Sequence, residues 1–91
     1  MPNKTTLSSS FVRVASIQSV FPIGGVVAKN DRFEVWAFRH RAGNEGNRYY
    51  VTSFEVVEVL SREPRTGRDI TNTLPSNCRL NLKAICAHLD P

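Results

Sequence analysis

The sequence is poor in nearly everything that dedicated chemistry requires. Its 91 residues hold two Cys, two His, one Met and one Trp. No Gly-rich segment ends in Gly-Lys-Ser or Gly-Lys-Thr, so the backbone cradle for nucleotide phosphates is missing. There is no dinucleotide fingerprint and no serine in a nucleophile elbow, and Gly24-Gly25 reads as a turn only.

Metal chemistry fails on the same inventory. Zinc needs about four converging ligands. Cys78, Cys86 and His88 offer three, with Asp90 a weak fourth, and their spacing is unlike paired Cys-x-x-Cys. Cys86 and His88 also make a poor nucleophile and base, because side chains two apart on a strand point the same way without orienting one another. Glu55 and Glu58, three apart in an extended segment, fall on opposite faces and do not cooperate as acid and base. The expectation is a protein that is not an enzyme and needs no cofactor or metal.

Long apolar runs are missing too. Nothing approaches the roughly 20 apolar residues of a membrane span. Met1 to Ser10 has one Lys and no apolar stretch, unlike a secretory signal. Two cysteines close together near one end do not make a disulfide framework. These readings point to a cytoplasmic protein with free thiols and no membrane partner.

What the chain does have is a globular balance, 41% hydrophobic and 22% charged. The expected organisation is a flexible N-terminal arm over 1–10 and a single β-rich domain over 11–91. A domain of this size buries only about 60–65% of its unfolded surface, which leaves a thin stability margin and room for a homo-oligomer.

Extended character dominates the pattern. Phe11 to Val20 is rich in β-branched residues and reads as a strand. Pro22 and Gly24-Gly25 punctuate it before Val26-Val27 resumes. Arg32 to His40 alternates, with Phe33, Val35 and Ala37 on one face and Glu34, Trp36, Phe38 and His40 on the other. A Gly/Asn-rich loop joins it to a long strand from Arg48 to Leu60, so the pair forms a hairpin. Neither face of that second arm is cleanly apolar, which suggests a bend near Val56-Val57 where the strand serves two sheets. Ser61 to Asp69 is a turn region, and Ile70 to Leu74 reads as a short returning strand. In Cys78 to Leu89 the alternation of Leu80, Leu82, Ala84 and Cys86 favours a strand through Ala84, with a short C-terminal helix as the competitor. The fold expected is mainly β, a small five-stranded barrel or strongly bent antiparallel sheet of the OB or SH3-like kind.

Charge supplies the functional signal. The net charge is +4 with a pI near 9.6, and nine of the twelve basic residues are Arg. Arginine presents a planar fork of donors that matches phosphate or carboxylate oxygens and stacks on flat rings. Arg39, Arg41 and Arg48 surround the hairpin loop beside Tyr49 and Tyr50, while Arg62, Arg65 and Arg68 surround the next turn. Cations interleaved with aromatics suit nucleic acid, since phosphates take the charge and unstacked bases take the π-surfaces. Trp36 and Phe38 border the same loop, where packing competes with stacking as their role. The leading expectation is therefore a small nucleic-acid-binding accessory protein that grips single strands or duplex backbone with these eight residues. The alternative is a protein-binding or inhibitory module, such as a phage or mobile-element regulator, docking the same loops onto an acidic or nucleic-acid-binding protein surface.

Overall fold

A computed structural model of the chain describes residues 10–20 and 24–91. Five strands, β1 (Val12–Arg13), β2 (Gly25–Lys29), β3 (Phe33–Ala42), β4 (Tyr49–Arg62) and β5 (Arg65–Asp69), lie in one sheet in chain order, each antiparallel to the next. One helix, α1 (Leu82–Leu89), follows. The sheet does not close into a barrel. Closure would pair β1 with β5, and β1 has two residues while every residue of β5 is exposed. The second layer that a barrel takes from its own far wall comes here from α1 and the turns before it. The expected arm over 1–10 lies outside the described residues except for Ser10, whose N–H and hydroxyl donate to Asp90 while Asn30 Nδ2 donates to Ser10 Oγ at 2.8 Å.

Four local expectations give way to local chemistry. The strand expected over Phe11 to Val20 stops at Arg13, and a single 3-10 turn forms at Gln18–Val20. There Ser16 Oγ accepts the Ser19 N–H and Ser19 Oγ donates back to the Ser16 carbonyl, so the serines take backbone groups that a ladder would have used. Ile70 to Leu74 is not a strand either. Asp69 Oδ1 accepts both the N–H and the hydroxyl of Thr71, and Thr73 Oγ1 donates to the Ile70 carbonyl, closing a 3-10 turn at Thr71–Thr73. The irregularity of β4 falls between Val59 and Ser61 rather than at Val56-Val57, and β4 serves one sheet throughout. Finally, Asn81 caps α1 by accepting the Ala84 N–H at 3.0 Å, and Leu82, Ile85 and Cys86 are buried on the helical face. Leu80, which the alternating reading would have buried, is 81% exposed.

The sheet has a core face and an open face, set by the parity of β3. Phe33, Val35 and Ala37 pair with Glu58, Val56 and Phe54 across β4, and the apolar members of this set are buried beneath α1 with Phe11, Val27, Leu74, Cys78, Leu82, Ile85 and Cys86. The alternate residues Glu34, Trp36 and Phe38 lie on the open face with Val57, Glu55 and Ser53. No described element covers that face with a second buried layer. Gly24 lets Phe38 lie close: its φ is +115°, and a Cβ there would collide with the Phe38 ring.

Glu34 is a carboxylate with only 8% exposure. Its Oε1 accepts from Arg65 Nη2 and from Trp36 Nε1, the latter at 3.3 Å. The hydrogen bond from Arg65 holds the Glu34 carboxyl below its usual 4.5, against the opposing effect of burial and with help from Trp36. A carboxylate with a lowered folded value stabilises the fold at neutral pH, and that contribution is lost as pH falls through the folded value. Asp69, lowered from 3.8 by its bonds to Thr71, acts in the same direction. Thermal melts should therefore fall on acidification from about pH 5 downward. Glu34→Gln should lower the melt at neutral pH and flatten the acid slope. An acid slope as steep as that of the parent chain would show that the pair is not linked to folding.

Candidate nucleic-acid interface

The hairpin outgrows the sheet on both sides. β2 pairs with β3 no further than Ala37, and β5 pairs with β4 only from Val57 onward. Phe38–Ala42 and Tyr49–Ser53 therefore pair only with each other among the described strands, as a two-stranded ribbon. Five residues at about 3.4 Å each extend it roughly 17 Å. Its tip turns through Gly43 and Gly46, both at positive φ, with the Asn47 N–H donating to the Asn44 carbonyl at 2.9 Å. A Cβ on Gly43 would strike the Asn47 carbonyl and come within 3.0 Å of the Tyr49 ring, so this turn requires glycine.

Strand parity sorts the predicted residues. Arg41 and Tyr50 are register partners, as are Arg39 and Thr52, so all four share the continuation of the core face. The Arg39 guanidinium lies 4.8 Å from the Tyr50 ring centroid and the Arg41 guanidinium 5.9 Å. Arg41 Nη2 also donates to the Tyr50 hydroxyl at 3.4 Å. Both distances fall within cation–π range. Tyr49 takes the opposite side with Ala42 and is 56% exposed, while Tyr50 is 42% exposed. Arg48 sits exposed in the turn just before β4. With Glu45 the only acid from 39 to 50, the three Arg leave this segment at +2 of the chain's +4.

The second group behaves differently. The β4–β5 turn, with a cis Glu63–Pro64 peptide, lies at the far end of β4 from the ribbon tip. Thirteen steps of strand separate Tyr49 from Arg62, roughly 40 Å at about 3.3 Å per step. The length of β4 thus holds the two loops apart, so they do not form the single basic surface that the sequence suggested. Arg62 pairs with Asp31 at 3.7 Å and donates to its carbonyl at 3.0 Å, Arg65 pairs with Glu34, and Arg68 pairs with Glu58 at 2.6 Å. Arg32 adds a fourth cation, also against Glu58, and Lys29, the register partner of Glu34, a fifth, so five cations are balanced by the five acids Asp31, Glu34, Glu58, Glu63 and Asp69. This end of the sheet is not a basic surface.

Two cations that the sequence reading passed over lie beside the ribbon. A groove at its root, on the core-face side, sets Arg13, Thr52, Asn81 and Lys83 beside apolar Ile17, Phe54, Leu80 and Leu82. Thr52 is the register partner of Arg39, so this groove continues the Arg39–Tyr50–Arg41 surface. Arg13 arrives through the pairing of β1 with β2, and Lys83 through the first turn of α1. Neither stands near the hairpin in sequence. Their only sequence signal is their charge.

The remaining candidates disperse. Cys86 is buried in α1 and His88 is exposed two residues on, about 200° around a helix of 3.6 residues per turn. Burial pushes the Cys86 thiol up to about 11, partly offset by Arg13, which makes it a poor nucleophile. The Cys78 thiol points at the Pro75 carbonyl, 3.3 Å away. Glu55 and Glu58 lie on opposite faces of β4, and Glu58 is taken by Arg68. Trp36 and Phe38 stack on one another on the open face, with centroids 6.3 Å apart and planes 12° from parallel. Among the described residues no three His, Cys, Asp or Glu converge as metal ligands, and no helix is long and apolar enough to cross a membrane. Comparison with family models, curated proteins and solved structures returns no match to this chain.

Proposed function

We propose that the chain is a non-enzymatic nucleic-acid-binding accessory protein whose contact element is the β3–β4 ribbon. The observation that carries this reading is the pair of guanidiniums laid over Tyr50 on an exposed, projecting ribbon. The ring holds two cations side by side with part of their ordering entropy already spent, which suits a row of phosphates or a base edge. The same side of the ribbon presents Arg39, Arg41, Tyr50 and Thr52, and the nearby aliphatic side chains, Ile17, Leu80 and Leu82, lie in the groove at its root rather than on the ribbon, whereas protein hot spots centre on a desolvated apolar pocket. The ion pairs of Arg62, Arg65 and Arg68 argue that these three serve the fold first. The expected contact set therefore contracts from six Arg to Arg39, Arg41 and Arg48.

Salt dependence tests it. The ribbon's own three phosphate contacts at about 0.9 each contribute about −2.7 to the slope, so affinity should fall at least about 40-fold between 50 and 200 mM salt. Binding with almost no salt slope would sink the proposal. One observation favours a protein partner instead: Leu80, 81% exposed, lines the groove beside Lys83. Salt-insensitive capture of an acidic protein that depends on Leu80, with no binding of nucleic acid, would replace the first reading by the second.

A further inference from the structure

We infer that the nucleic acid taken by this ribbon is double-stranded DNA, entered through the major groove, with Arg13 and Lys83 on the flanking phosphates. The inference rests on the function proposed above and names its substrate. Three observations lead to it.

Single strands are held by bare aromatic faces in a continuous track, one base per ring. Here Tyr50 is overlain by two guanidiniums, and Tyr49, its neighbour, projects from the opposite side of the ribbon. The tyrosines form no common platform. The other aromatic pair, Trp36 and Phe38, stacks on itself, with the acidic Glu55 as the register partner of Trp36 and with Glu34 on the same face already paired to Arg65. A polyanion is poorly received there.

Shape favours the duplex. A two-stranded ribbon is one of the two elements that the B-form major groove, about 12 Å wide and 8.5 Å deep, admits. A projection of roughly 17 Å reaches its floor with residues to spare. The A-form major groove of RNA is too deep and narrow for side chains to read. Within the groove, Arg39 and Arg41 would meet base edges or inner phosphates, with Tyr50 as their common support.

The root of the ribbon supplies the backbone contacts. An element inserted in the major groove has a phosphate strand along each side, so cations are needed at the shoulder of the insertion as well as its tip. Arg13 and Lys83 line the groove at that shoulder, on the side from which Arg39 and Arg41 project. They come from β1, the edge strand paired with β2, and from α1, whose Leu82, Ile85 and Cys86 belong to the core. These contacts carry no sequence information, unlike any that Arg39 or Arg41 makes to a base edge.

The test is a competition by fluorescence anisotropy at 100 mM salt, using the full chain and three probes: a 16-base-pair DNA duplex, one of its single strands and the corresponding RNA duplex. The DNA duplex should bind at least 10-fold tighter than either other probe. Its salt slope should be near −4.5, for five contacts at about 0.9 each. Arg13→Ala with Lys83→Ala should reduce that slope by about 1.8. Lys83→Ala alone, on an exposed helix position, should reduce it by about 0.9 with an unchanged melt and serves where the double variant fails to fold. Tighter binding to the single strand or to the RNA duplex overturns the inference and leaves the nucleic-acid reading standing. Duplex binding with a slope untouched by Lys83→Ala overturns the assignment of the shoulder. Failure to bind all three probes overturns the function on which the inference rests.

Discussion

Arg39→Glu combined with Arg41→Glu is expected to weaken nucleic-acid binding by about two orders of magnitude at 0.1 M salt. Each phosphate contact contributes about 8-fold at 0.1 M relative to 1 M salt, so two lost contacts account for about 60-fold. Repulsion from the introduced carboxylates adds the remainder. The matching pair Arg62→Ala with Arg68→Ala should change affinity less than about threefold, because those residues sit at the other end of β4, several Debye lengths of about 10 Å away. The contrast between the two pairs is the informative quantity. Equal losses from both would mean that the two ends act as one surface, against the separation set by the length of β4. Circular dichroism of the ribbon variant should match the parent, since neither Arg belongs to the buried core.

The largest effect on stability is expected at Phe11. It is fully buried although it precedes a strand of only two residues, and its ring lies near-parallel to Phe33 with centroids 6.5 Å apart. Next to it, Ser10 ties Asp90 beyond α1 to Asn30 between β2 and β3. Phe11→Ala should cost about 3–5 kcal/mol, by lost transfer energy and the cavity left behind. A domain of this size has a total of about 5–15 kcal/mol and loses roughly 4–8 °C of melting temperature per kcal/mol. A fall of about 12–40 °C is therefore expected in a thermal melt. A fall under about 5 °C would mean that the site collapses onto the void or that the N-terminal segment is not integral to the core.

The legible parts of the fold were those with strict period-two patterning. Phe33, Val35 and Ala37 declared the buried side of β3, and the Gly/Asn loop at 43–47 declared the hairpin. The C-terminal helix was hidden because Leu80, Leu82, Ala84 and Cys86 alternate as a strand does, and an eight-residue helix offers only two turns of competing signal. Asn81, three residues before the N–H it caps, was the available clue. At the interface, the distinction between the Arg groups depends on register. Glu34 precedes Arg65 by 31 positions, and Glu58 precedes Arg68 by 10. Local composition sees three Arg near a turn in both places, whereas the pairing of β3 with β4 and β4 with β5 brings Arg65 to Glu34 and Arg68 to Glu58. Arg13 and Lys83 carry no local signal of this kind, because packing, not sequence distance, sets them beside Thr52.

The ribbon's projection has one further consequence. Beyond Ala37 on one side and before Val57 on the other, its strands lack a neighbouring strand among the described residues, so their outward N–H and C=O groups form two templates for strand addition. Two copies meeting edge to edge would extend into a shared sheet, the first step of aggregation in β proteins. Arg39, Arg41 and Arg48 oppose that approach, since like charges brought into neighbouring rows repel. The cations proposed to attract a polyanion would thus also hinder edge-to-edge pairing of two ribbons.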